Sequence, residues 1–171
     1  MLMTVAELRG FIDSDLTDEQ LETRLSAIEI AIRKFTNNNF QNRKMRFESG
    51  IENGNIVGSV PAYFSVGDTV EITQSEMNDG LFVIGEDSAL SPTPIDCENN
   101  LFTKIVYPAD VRMGAANMLN WDLNNRDKVG ISSETISRHS VTYSDLGESN
   151  SSIGYPSALT GFLKPYMKAR F

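Results

Sequence analysis

The chain is poor in residues that do covalent chemistry. Of its 171 residues one is cysteine, Cys97, and one is histidine, His139. A single thiol excludes an internal disulfide and a cysteine-rich zinc site, and it suits a reducing compartment. Any imidazole-based dyad or triad would have to use His139, which stands beside Arg138 in a strand-like run. With an ordinary pKa of about 6.5 it is a weak general base on its own. Cys97 sits in a polar stretch with no basic neighbour to lower its pKa, so it reads as an unreactive thiol.

Positive charge is scarce as well. Fifteen basic residues face 23 acidic ones, giving a net charge of −8 and a pI near 4.6. That balance argues against a protein that grips the nucleic-acid backbone, which wants a basic stripe. It allows a wall past which DNA slides, because an acidic lining repels phosphate; solubility alone explains the charge equally well. No apolar run approaches the length needed to cross a bilayer. Met1-Leu-Met-Thr-Val-Ala-Glu7 has neither the basic nor the apolar region of a signal peptide, so a soluble protein of the cytoplasm is expected.

Site motifs are also missing. The Gly67-Asp68 turn precedes a strand, whereas a phosphate cradle leads into a helix. Glu76-Met-Asn-Asp-Gly80 lacks the alternating acidic spacing of a calcium loop, and Asp79, Glu86, Asp87 and Asp96 read as surface acids near turns. No catalytic, metal-ligating or cofactor-binding residue is expected, and the chain is not read as an enzyme.

Helix signals are what the sequence does have. Thr4-Val-Ala-Glu7 and Thr17-Asp-Glu-Gln20 both fit the capping box, in which a threonine hydroxyl and an acid or amide three residues on satisfy each other's backbone N–H groups. After the second box Leu21, Leu25, Ile28, Ile32 and Phe35 recur at helical spacing, and Asn37-Asn-Asn39 ends the run. Burying those five side chains contributes roughly 8–15 kcal/mol gross, before chain entropy is subtracted. Tyr107-Pro-Ala-Asp110 starts a further helix with Val111, Ala115, Met118 and Leu119 on one side. Its Gly114-Ala-Ala116 face has little bulk, so another backbone is expected to pack closely against it.

Between residues 42 and 106 the period changes. Asn53-Gly54 and Asn78-Asp-Gly80 are turn signals, and Val70, Ile72 and Leu81–Ile84 read as strands of about five in all. The expected fold is α+β, a small helical bundle (residues 1–41 and 107–171) carrying an inserted small antiparallel β domain (42–106). Beyond the third helix, Ser140-Val-Thr-Tyr143 reads as a half-buried strand and 145–154 as a polar loop. Tyr155-Pro156 then opens a short helix with Leu159, Phe162 and Leu163 on one side. Pro165 stops it, and Tyr166–Phe171 leaves as an arm.

Ile131-Ser-Ser-Glu-Thr-Ile136, Ser140–Tyr143, Gly154-Tyr-Pro156 and Leu163-Lys-Pro-Tyr166 with Arg170-Phe171 resemble the C-terminal part of the head–tail connector (adaptor, or head-completion) proteins of long-tailed bacteriophages. The similarity covers 1–41 and 107–171, the first part by helix layout only. It implies a structural protein of the virion, made in the host cytoplasm, which forms a twelvefold ring below the portal protein. Such a ring extends the DNA channel without binding DNA specifically, and joins capsid to tail through the next tail-completion or stopper protein. The β segment departs from the minimal connector pattern. On this reading Lys164, Pro165, Tyr166, Lys168, Arg170 and Phe171 form the portal-binding arm. Ser140, Val141, Thr142, Tyr143, Tyr155 and Phe162 meet neighbouring copies. The alternative is a carbohydrate- or peptide-binding module with a concave pocket among Tyr63, Phe64, Phe82 and Phe102.

Overall fold

A computed structural model describes residues 1–125, 133–136, 139–142 and 151–169, with only the backbone described at 133–136, 139–142 and 151. The chain divides into two compact units. One comprises Asn39–Tyr107 with Met1, the other Leu2–Asn38 with Pro108–Phe171.

In the second unit, helix α1 (Val5–Leu8) and helix α2 (Asp18–Thr36) both begin at complete capping boxes. Thr4 Oγ1 accepts from the Glu7 N–H at 3.2 Å while Glu7 returns to the Thr4 N–H at 3.1 Å. Thr17 and Gln20 repeat the exchange. Leu21, Leu25, Ile28 and Ile32 are buried as their spacing requires, and Phe35 is half-buried. Asn37 ends α2 in the left-handed region (φ 49°), which asparagine tolerates better than most side chains. Arg9 clamps the link between α1 and α2. It bonds Asp18 at 2.6 Å and the carbonyls of Ser14 and Leu16.

The first unit is a six-stranded antiparallel sheet: β1 (Gln41–Glu52), β2 (Asn55–Ile56), β3 (Thr69–Thr73), β4 (Gly80–Ile84), β5 (Leu90–Ser91) and β6 (Cys97–Ile105), in the order β2-β1-β6-β3-β4-β5. Asn53-Gly54 makes the β1–β2 hairpin with both residues at positive φ, the conformation a tight two-residue turn demands. The two outer strands then meet. Asn55 bridges to Ala89, and the Leu90 N–H donates to the Gly54 carbonyl at 3.0 Å, so the sheet closes almost into a barrel. Inside lie Ile51, Ile56, Phe64, Val70, Ile72, Phe82, Ile84, Leu90 and Phe102. Phe47 stacks on Phe102 with centroids 4.8 Å apart and meets Phe64 edge-on.

This corrects the expected fold. A near-barrel of six strands dominates the described structure and only two of the described α-helices exceed four residues, so the protein is not a helical bundle with a small β insert. The reason is local. β1 breaks register twice against β6, between Gln41 and Arg46 and between Ser49 and Ile51, which scrambles the period-two pattern that announces a strand. The strands are signalled in the sequence, but the length of β1 is muted, while α2 is obvious.

Helix α3 (Ala109–Asn125) follows β6. It buries Val111, Gly114, Ala115, Ala116, Met118 and Leu119. The close approach over its bare face comes from a side chain of the same unit and not, as expected, from another backbone. A Cβ on Gly114 would stand 2.2 Å from the Phe162 ring. Strands β7 (Ser133–Ile136) and β8 (His139–Thr142) form a hairpin, and β9 (Ser151–Ser152) pairs with β10 (Tyr155–Pro156). Helix α4 (Ser157–Thr160) then runs into a tighter turn, Gly161–Tyr166, that contains Pro165.

Candidate interaction surfaces

The C-terminal segment does not leave its unit as an arm over its described length. The Asn38 side-chain amide donates to the Tyr166 carbonyl at 3.1 Å, the Lys168 N–H donates to the Thr36 carbonyl at 2.8 Å, and the Asn37 amide donates to the Ala169 carbonyl at 2.8 Å. The Tyr166 hydroxyl reaches both oxygens of Asp110, at 2.8 and 2.9 Å, and that carboxylate holds the phenol above its usual pKa. A helix end has carbonyls without internal partners, and here the chain's own tail satisfies one of them. Leu163 is fully buried, while Lys164, Pro165, Met167 and Lys168 are exposed along the same segment. No carboxylate of the described residues pairs with either lysine. The result is a fixed ridge carrying two cations and an apolar methionine. Arg170 and Phe171 lie outside the described residues.

The residues expected at copy-to-copy contacts are scattered. Ser140, Val141 and Thr142 form β8, which pairs with β7 of its own chain in the register Ser133–Thr142, Glu134–Val141 and Thr135–Ser140. Among the described residues no further strand joins either edge of that hairpin. Tyr143 lies outside them. Tyr155 is buried, with its hydroxyl donating to Asp122 at 2.6 Å and its ring edge-on to Trp121. Phe162 covers Gly114. Both rings are thus engaged within their own unit.

The pocket expected for a binding module is not there. Phe64, Phe82 and Phe102 are core residues of the near-barrel, and the Tyr63 hydroxyl is spent on the Arg46 carbonyl at 2.8 Å.

A hollow does exist where the second β1 bulge opens. Gly50, Ile51, Glu52, Val57, Asp96, Cys97 and Glu98 line a depression of about 430 Å³. It continues past Glu98 into two neighbouring hollows that add Glu48, Gln74, Glu76 and Asn100 to the walls. Cys97 is half-buried here. The Asn99 backbone, and after it the Ser75 hydroxyl 3.8 Å away, hold its thiol below the ordinary value. Among the described residues, carboxylates and no basic side chain line this hollow. Among the described residues no group of three or more acids, histidines or cysteines is placed to hold a metal ion, and no helix is long and apolar enough to cross a membrane.

No family model and no curated protein matches this chain. What bears on function is the surfaces themselves, together with the sequence resemblance of residues 131–171. Two of their parts were missed in the sequence. Asn37 and Asn38 read there only as a helix stop, whereas their amides also hold the tail. Arg43-Lys-Met-Arg46 places three cations within four residues of an acidic chain, a signal that strand alternation obscured.

Proposed function

We propose that this protein is a structural subunit of the bacteriophage head–tail junction. In this reading copies assemble below the portal, continue the DNA channel, and present a platform for the next tail-completion protein. The observation that carries the reading is the ridge at 164–168. On a chain of net charge −8, Lys164 and Lys168 project beside Pro165 and Met167 from a backbone tied down by Asn37, Asn38 and Thr36. Cations flanked by apolar side chains suit an acidic protein surface. Because the segment is already ordered, docking loses less conformational entropy than ordering a free arm would. The resemblance of 131–171 to connector proteins supplies the class of partner. DNA is expected to pass an acidic lining without sticking to it.

Mechanism on this reading is geometric, and no covalent step is assigned. Each copy contributes a modest contact to the portal, and a ring of copies multiplies it, since after one copy docks the next binds at raised effective concentration. The test is co-sedimentation of the purified chain with assembled portal rings of the same phage. Stoichiometric binding of several copies per ring supports the reading. Failure to bind portal rings at any salt concentration would sink it.

A further inference from the structure

Charge is sorted along the β1–β6 ladder. Within 39–107 ten carboxylates accompany four cations, a balance of −6. Three of those cations, Arg43, Lys44 and Arg46, sit in the first half of β1. There residues 42–45 stand opposite Lys104 alone, between the pairs Gln41–Ile105 and Arg46–Thr103. The bulge turns this stretch outward, and Arg43 and Lys44 are exposed. Tyr63, also exposed, is tied to the Arg46 carbonyl and flanks them.

The other end of the same ladder is the acidic hollow. Ser49 pairs with Asn100 and Ile51 with Cys97, which leaves Glu98 and Asn99 across from Gly50. Glu48, Glu52, Glu76, Asp96 and Glu98 surround it, and none of the five is in an ion pair among the described residues. Asn100 adds an independent sign of a missing partner. It is 2% exposed and lines the hollow. Its Nδ2 donates to the carbonyls of Ser49 and Cys97, while its Oδ1 accepts nothing. A buried acceptor without a donor is uncommon and calls for a donor-rich group. Met77 stands exposed at the rim, and Asn78 joins its loop to that of the exposed Ile95 by two hydrogen bonds to the Ile95 backbone.

We propose that the basic end of β1 in one copy docks into this acidic hollow in a second copy, head to tail. Arg43 and Lys44 bring the donors that the five carboxylates and Asn100 lack, and Tyr63 meets the aliphatic rim. The two surfaces differ, so the contact is heterologous and closes into a ring where its rotation permits. A second copy is the occupant because the complementary end is built on the same pair of strands. The inference goes beyond the portal reading, since it uses no residue of the 164–168 ridge and needs no portal.

Sedimentation velocity of the full chain tests it. Wild-type protein should self-associate with rising concentration at low salt, and less at high salt as screening weakens the contact. Arg43→Glu/Lys44→Glu and Asp96→Lys/Glu98→Lys should each self-associate about tenfold more weakly. All four positions are exposed apart from their contacts here, and unchanged circular dichroism checks the fold. Mixing the two variants should restore association, since the first keeps the wild-type hollow and the second keeps the wild-type basic end. Arg43→Gln/Lys44→Gln should weaken association as well, without introducing new acids. Wild-type protein that stays monomeric at about 1 mM overturns the proposal. So does a mixture that fails to pair, or weakening by the hollow variant alone, which would mean another cationic segment fills it. Lys164→Glu/Lys168→Glu should self-associate like wild type, which separates this result from the portal test.

Discussion

The ring of Phe162 stands where a side chain on residue 114 would begin, 2.2 Å from the position of a Cβ on Gly114. The nearest atoms belong to the ring itself, so an added methyl must push the aromatic out of place. Gly114→Ala should therefore destabilise the protein by about 1–3 kcal/mol, the usual range for overpacking, despite the better helix propensity of alanine. Urea unfolding would show the loss as a lower midpoint at unchanged slope. Gly114→Ala/Phe162→Leu, with a smaller group over the face, should recover part of it.

Capping gives a cleaner case. Thr17→Ala removes the hydroxyl that accepts the Gln20 N–H and should cost about 1 kcal/mol. Thr17→Ser should cost less than half of that. Equal losses for the two variants would show that the methyl, and not the hydrogen bond, matters at this position.

Much of the helical unit was legible for this reason. Both boxes and the Leu21–Leu25–Ile28–Ile32 stripe lie within a few residues of one another, so local spacing suffices to place α1 and α2. The near-barrel is different. Its closure depends on Gly54 and Ala89–Leu90, which are far apart in sequence, and its longest strand is broken by two bulges. Composition marked Phe64, Phe82 and Phe102 as a possible pocket lining because exposed and buried aromatics look alike in a sequence. Likewise Tyr166-Met-Lys-Ala169 looked like an arm because the amides that hold it belong to Asn37 and Asn38, well over a hundred residues earlier.

The pH response should carry a signature of Glu7. Its carboxylate hydrogen-bonds the Arg112 guanidinium at 2.7 Å and the Thr4 backbone, and the arginine holds its pKa below the usual 4.5. A carboxylate with a lowered folded-state pKa stabilises fully above its unfolded value, and the effect is lost as pH falls through the folded value. Both side chains are more than a third exposed, so solvent screening keeps the contribution below about 1 kcal/mol. Wild type should lose this increment on acidification below pH 4.5, while Glu7→Gln should not, as read from thermal midpoints across the acid range. A parallel acid limb in the two proteins would mean the pair is not felt.

Asn38 provides a test of the ordered tail. Asn38→Ala removes the donor to the Tyr166 carbonyl, worth about 0.5–1.5 kcal/mol. The amide of Lys168, which donates to Thr36, should then exchange with deuterium roughly tenfold faster, as a local opening of that size implies. Amides inside α2 should be unaffected. Exchange at Lys168 that is already as fast as in an unstructured peptide in the wild type would contradict the docked segment.

The central claim is that a preformed ridge bearing Lys164 and Lys168 meets the acidic surface of a portal ring. Equilibrium binding of wild type and Lys164→Glu/Lys168→Glu to portal rings at fixed, moderate salt tests it most directly. The account predicts a loss of about tenfold or more in affinity with an unchanged thermal midpoint, because both side chains are exposed. Equal affinity for the two proteins would contradict it.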